Sequence, residues 1–262
     1  RIMGHHETAG NIKVYESQLG QALDLYQRLG VDSVKTGYVA DAGGIQVHQY
    51  ASATLRATMP SGQDAVLRLE SDFPWQGRVK LTVDSSNGTA WTLRLRIPAW
   101  AQGWSLQVNG EPQQPALEHG YAVVERTWTA GDVVDLDLPM QPVLLQASPR
   151  VDSTLHSVAI QRGPVVYCLE AADQDADTNL LDVRIDPAAP LTATWQPALL
   201  GGVMAVEASG AVVDASAWAD QLYRPFGAVH ETYRPTRLRA VPYYAWANRG
   251  PGAMRVWIPR LG

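Results

Sequence analysis

In the run AIQRGPVVYCLE, from Ala159 to Glu170, the chain's only cysteine stands two residues from a carboxylate. A thiolate beside an acid is equipment for covalent catalysis, provided that something keeps the thiol deprotonated. Around Cys168, however, stand Val165, Val166, Tyr167 and Leu169, and no histidine lies nearby in sequence to activate it. A short apolar run launched by the turn Gly163-Pro164 reads as a buried strand, and isolated cysteines are among the residues most often buried. We therefore expect Cys168 to fill a core, with Glu170 and Asp173 as strand-end and loop carboxylates, and we assign no catalytic residue in this chain.

Other candidates are weaker. His5-His6-Glu7 offers metal-ligand types, but its spacing fits no helical zinc motif, so we expect a solvated terminus and no metal site. His48 alternates with Gln46 and Tyr50 along Ile45 to Tyr50, which suits an interdomain or surface histidine better than a catalytic one. Tyr243, Tyr244, Trp246, Asn248 and Arg249 form the densest aromatic and polar cluster. Tyr243 and Trp246 could stack on a sugar ring while Asn248 and Arg249 bind its hydroxyls, making these four the candidate carbohydrate-binding residues. The competing expectation is that alternation buries Tyr244 with Trp246 and that Asn248-Arg249-Gly250 forms a turn.

The elements that must position these residues are mostly strands. Across 262 residues, 46% hydrophobic and 18% charged, the composition is that of a soluble globular chain with room for two domains. A net charge of -5 without clustered Lys and Arg gives no reason to expect a nucleic-acid partner. No apolar run approaches the roughly 20 residues of a membrane span, so no membrane partner is expected. A single cysteine excludes an internal disulfide but leaves the compartment open. Nine Trp and ten Tyr against two Phe favour rings with a hydrogen-bonding edge, a habit of sugar-handling proteins and of Trp-filled β cores alike.

One helical stretch stands out over residues 12 to 29, where Ile12, Tyr15, Leu19, Ala22, Leu23, Tyr26 and Leu29 recur at helical spacing and Gly30 supplies a stop. From Ile45 the period becomes two. Trp91, Leu93, Leu95 and Ile97 alternate with Thr92, Arg94 and Arg96, and Val134, Leu136 and Leu138 alternate with Val133, Asp135 and Asp137. If those strands are neighbours, the Arg and Asp rows pair across an outer face. Asn87-Gly88 and Asn109-Gly110 are hairpin signals, because both central positions of a type I′ turn need positive φ. Ala171 to Asn179 reads as an exposed acidic loop, and Ala208 to Tyr233, without a clear period, as long loops.

Several runs together resemble the C-terminal part of glycoside hydrolase family 127, the β-L-arabinofuranosidase-like enzymes. They are Phe73-Pro74-Trp75; LRLRIPAWA from Leu93 to Ala101; Val108-Asn109-Gly110; Trp128 followed by Gly131-Asp132; Leu138-Pro139-Met140; AIQRGPVVYCLE; and VPYYAWANRGPGAMRVWIP from Val241 to Pro259. The resemblance runs from about Gly43 to the end, and implies two successive antiparallel β-sandwich domains in a mainly β chain. It further implies a preceding helical barrel as partner, where a zinc ion held by a glutamate and three cysteines makes one thiol the nucleophile. The paired cysteines expected upstream of Gly43 are absent, so zinc is expected in the parent's catalytic domain and no cofactor in this chain. Nor does the spacing of acids such as Glu70, Glu111, Glu118, Glu125 and Glu231 pick out the carboxylate pair that glycoside hydrolysis normally uses.

The expected layout is a helical segment at 1–42, as a remnant or divergent end of the barrel, then sandwiches at 43–147 and 148–262. The expected function is non-catalytic support of the barrel in a bacterial hydrolase. The alternative is a stand-alone carbohydrate-binding module with exposed Trp and Tyr platforms, and a homo-oligomer contact remains open.

Overall fold

The computed structural model describes residues 4–5, 34–35, 38–41, 43–59, 62–219, 221–228 and 230–262, with side chains from residue 43 onward. The helix expected over residues 12 to 29 lies outside the described residues, as do His6 and Glu7. Two compact units divide the chain, Arg1–Pro139 and Met140–Gly262. Both are built almost wholly of strands, and among the described residues the only helical pieces are four three-residue 3-10 turns.

The first unit contains β1 (Gly4–His5), β2 (Val34–Lys35), β3 (Tyr38–Asp41), β4 (Gly44–Val47), β5 (Ala53–Thr58), β6 (Asp64–Ser71) and β7 (Arg78–Ser86). It continues with β8 (Ala90–Arg96), β9 (Ser105–Val108), β10 (Glu111–Gln113), β11 (Ala116–Glu118), β12 (Tyr121–Thr127) and β13 (Val133–Asp137). A six-stranded sheet in the order β10-β9-β13-β7-β6-β5 faces a five-stranded sheet in the order β11-β12-β8-β4-β3, and β1 pairs with β2. The alternating apolar residues explain the sandwich: Leu67, Leu81, Leu106 and Leu136 from one sheet and Ile45, Leu93, Leu95 and Trp128 from the other side close a single core. The indole of the fully buried Trp128 donates its N–H to the Trp91 carbonyl at 3.0 Å, so the ring fills volume without stranding a polar atom.

Two expectations about pairing need correction. β8 and β13 are not neighbours but lie in opposite sheets. Both turn their apolar rows into the core, which sends their polar rows to opposite outer faces. The aspartates stand in register with basic residues of β7 instead, Asp135 opposite Lys80 and Asp137 opposite Arg78. Of the two Asn-Gly signals, Asn109-Gly110 is a two-residue hairpin between β9 and β10, with φ of 53° and 81° as a type I′ turn requires. Asn87-Gly88 is not a hairpin: it carries the chain from β7 in one sheet to β8 in the other.

Gly44 allows the parallel pairing of β4 with β8, because a Cβ there would stand 1.8 Å from the Thr92 carbonyl oxygen. The turn before β13 is closed by Asp132, which is buried. Its carboxylate accepts from the Thr129 backbone N–H at 2.8 Å, from the Thr129 hydroxyl at 3.3 Å and from the Asn109 amide at 2.8 Å. Burial alone would raise its pKa, but the Thr129 and Asn109 hydrogen bonds and the nearby Arg126 outweigh burial and hold the carboxyl below its ordinary value.

The second unit contains β14 (Pro142–Gln146), β15 (Ser157–Arg162), β16 (Val165–Glu170), β17 (Val183–Ile185), β18 (Thr192–Gln196), β19 (Val203–Val213), β20 (Tyr233–Pro242), β21 (Met254–Arg255) and β22 (Ile258–Pro259). The main path is β14-β15-β16-β20-β19-β17, with β18 on β19, β21 on β16 and β22 on β15. β16 joins the two parts: Val165 and Val166 pair with β15, whereas Tyr167, Cys168 and Leu169 pair with β20. Ala208 to Val213, expected to be loop, forms the second half of the eleven-residue β19. Residues on both sides of that strand are buried, so no alternation marked it.

Candidate functional site

Cys168 sits in the middle of β16, opposite Val241 of β20, and is 1% exposed. Burial pushes its thiol up to about 12, with the negative charges of Glu170 and Asp173 adding to the rise. At neutral pH it is therefore a protonated thiol, no described residue is placed as a base to activate it, and its chemistry is that of a small apolar side chain.

Two residues further, Glu170 ends β16 with 2% exposure, and its burial is compensated from the far end of the unit. One carboxylate oxygen accepts the Ala247 backbone N–H at 3.0 Å, and the other accepts from the Arg249 guanidinium. The same guanidinium donates to both oxygens of Asp173, at 2.7 and 2.5 Å. These contacts, with the Asp173 hydrogen bond the largest contributor, hold Arg249 firmly protonated. Glu170 also fixes the backbone of the turn. Ala247 has φ of 62°, a conformation that L-residues reach at some cost, and its N–H is the one that Glu170 binds.

Thus Arg249, a candidate for binding sugar hydroxyls, is engaged with Glu170 and Asp173, while Asn248 donates its side-chain amide to the Ala245 carbonyl at 2.9 Å. Tyr243 and Trp246 remain 45% and 38% exposed. The alternation expected to bury Tyr244 with Trp246 does not occur. Tyr243–Ala245 forms a 3-10 turn, which places Ala245 inside and leaves Tyr244 exposed. Trp100 and Trp104 are partly buried against the core of the first unit. Asp173, expected in an exposed loop, is an ion-pair partner whose side chain is nearly covered.

His48 follows β4 within the first unit, where its Nδ1 shares a 2.7 Å hydrogen bond with the Tyr121 hydroxyl. The rings meet edge to face at a centroid distance of 5.6 Å. Burial, then the positive charge of Arg96, holds its imidazole below the ordinary value, so the ring is neutral at neutral pH.

Among the described residues, no three His, Cys, Asp or Glu side chains are grouped to hold a metal ion. The lone buried thiol does not fit the cysteine-rich zinc site implied by the resemblance, and the two carboxylates nearest to it already share an arginine. No described helix is long and apolar enough to cross a membrane. An open groove of about 1030 Å³ on the second unit is lined by Asp175, Asp186, Ser209, Tyr233, Thr236 and Arg237 among others, and contains none of the candidate site residues.

Fold and side chains together define a mainly β protein of two successive sandwich domains whose best-organised polar cluster is an internal ion pair. Residues 44–140 match the family description "Beta-L-arabinofuranosidase, GH127 middle domain", and residues 142–259 match "Glycoside hydrolase family 127 C-terminal domain". The chain belongs to glycoside hydrolase family 127. It is 36% identical over 237 residues to a non-reducing end β-L-arabinofuranosidase of Bifidobacterium longum, a match covering 85% of this chain and 34% of that enzyme. A solved family 127 β-L-arabinofuranosidase from Geobacillus stearothermophilus T6 shares 37% identity with a TM-score of 0.79, over 86% of this chain and 35% of that one. Another solved family 127 β-arabinofuranosidase shares 27% identity with a TM-score of 0.75, over 86% of this chain and 36% of that one. The chain thus spans about a third of the length of these relatives.

Proposed function

We propose that this chain is the non-catalytic twin-sandwich portion of a β-L-arabinofuranosidase-like hydrolase, and that its partner is the helical catalytic domain of the same parent enzyme. The parent would release a terminal arabinofuranose with retention. In this reading the sandwiches dock on that domain and stabilise it. The observation that carries the proposal is the state of the one cysteine: it is buried, its thiol is pushed up to about 12, and the acids beside it are occupied by Arg249. A zinc ion bound by glutamate and cysteines would supply thiolate chemistry elsewhere in the parent, since the residues described here do not fit such a site.

A chimaera tests the supporting role. Residues 44–259 of this chain, placed where the Geobacillus enzyme has its matched region, should give a folded protein that keeps arabinofuranoside hydrolysis. A chimaera that folds, retains its zinc and is inactive would argue against mere support.

A second reading, a stand-alone carbohydrate-binding module, draws on the partial exposure of Tyr243 and Trp246. Calorimetric titration with arabino-oligosaccharides separates the two. Saturable heat lost in Tyr243→Ala and Trp246→Ala would favour the module, and no heat would remove it.

A further inference from the structure

The two Asn-Gly pairs share one sequence signature and occupy opposite environments, and the difference has a chemical consequence. An asparagine followed by glycine can attack itself. The Gly amide nitrogen, losing its proton to solvent base, adds to the Asn side-chain carbonyl carbon, and the side-chain nitrogen leaves as ammonia. The resulting five-membered succinimide is opened by water at either carbonyl, giving aspartate or isoaspartate. The net change is water in and ammonia out, with no oxidant or reductant involved.

At Asn109 this path is obstructed. The side-chain amide donates to Asp132 at 2.8 Å, the side-chain oxygen accepts the Val133 N–H at 2.8 Å, and the residue's own N–H donates to the Val133 carbonyl at 2.8 Å. Both ends of the carboxamide are tied to β13 or to the turn before it, so the group cannot swing toward Gly110 without breaking hydrogen bonds around a buried carboxylate.

At Asn87 nothing comparable holds the group among the described residues. Asn87, Gly88 and Thr89 are all exposed in the three-residue crossover between β7 and β8. Gly88 has φ of 75°, and the space where a Cβ would stand is open. The side-chain contact it does make favours reaction: the Thr89 hydroxyl donates to the Asn87 side-chain carbonyl oxygen at 2.8 Å, which polarises the carbon under attack and stabilises the charge that develops on that oxygen.

We propose that Asn87-Gly88 is a self-modifying site that converts to isoaspartate and aspartate in the folded protein, while Asn109-Gly110 is protected by its turn. The aged form carries one more negative charge and, as isoaspartate, one more backbone carbon in the crossover. It is thereby a substrate for the class of S-adenosylmethionine-dependent methyltransferases that esterify the isoaspartyl carboxylate.

The test uses the full chain, folded in dilute buffer and unfolded in urea, aged in parallel at mildly alkaline pH in 18O-labelled water. Peptide mass mapping reads conversion at each asparagine, and an isoaspartyl methyltransferase with labelled methyl donor reads the isoaspartate. In the folded chain, conversion at position 87 should exceed that at position 109 by roughly tenfold or more, as expected if the restraining hydrogen bonds must open first. In urea the two should convert at similar rates, and Asn87→Gln should remove most methyl acceptance from the folded protein. Equal conversion at the two positions in the folded chain, or faster conversion at 109, would overturn the proposal.

Discussion

Asp132 and Arg249 each hold together groups that no local pattern joins, and each makes a measurable claim. Removing the Asp132 carboxylate leaves the Thr129 N–H and the Asn109 amide without their acceptor, so Asp132→Ala should cost about 2 kcal/mol or more in urea unfolding. The pH dependence has a definite sign. Because the folded-state pKa is lowered, the stabilisation is present above the unfolded carboxylate value of about 3.9 and is lost as pH falls through the folded value. The stability gap between wild type and Asp132→Asn should therefore shrink as unfolding is followed from neutral into acid; a gap unchanged by acid would refute the assignment. Arg249→Met strands two nearly covered carboxylates. A cost of about 3 kcal/mol is expected, at the low end for a broken buried pair because a quarter of the arginine side chain reaches solvent. Cys168 was legible from its apolar neighbours, whereas Arg249 was not, since its partners lie 76 and 79 residues away and nothing local marks the pairing. The prediction at Cys168 is that a thiol reagent fails to label the native chain and reacts on unfolding; rapid native labelling would contradict a covered, protonated thiol.

Among the elements, strands of the first unit such as β5, β6, β7 and β13 were readable because they bury one face, which writes a period of two into the sequence. β19 was partly missed for the opposite reason, being covered on both sides. The two Asn-Gly pairs show where local rules stop. Positive φ at a glycine says that the chain turns, but which sheet receives the next strand depends on a core assembled from distant residues. The Arg and Asp rows of β8 and β13 failed in the same way: the outward faces were assigned correctly, but the pairing strand was not. Gly44 gives the element-scale test. Gly44→Ala would drive a methyl into the Thr92 carbonyl and separate β4 from β8, so we expect a loss of several kcal/mol in unfolding free energy, against less than about 1 kcal/mol for an exposed strand glycine. A neutral effect would show that this parallel pairing is not close-packed.

For the molecule as a whole, the family was legible in dispersed motifs, and two family domains cover it from residue 44 to 259. The four candidate sugar-binding residues were grouped by sequence proximity, and they prove to do different things: two present rings to solvent, one closes a turn and one neutralises buried acids. The run from Ala159 to Glu170 supplies most of β15 and all of β16, its cysteine packed and its glutamate bound, and the proposed function places catalysis elsewhere in the parent. The most direct measurement of that claim is hydrolysis of a chromogenic β-L-arabinofuranoside by the purified chain, supplied with zinc and reductant, beside its Cys168→Ala variant. The account predicts no turnover above buffer for either protein; turnover by the wild-type chain that the substitution abolishes would contradict it.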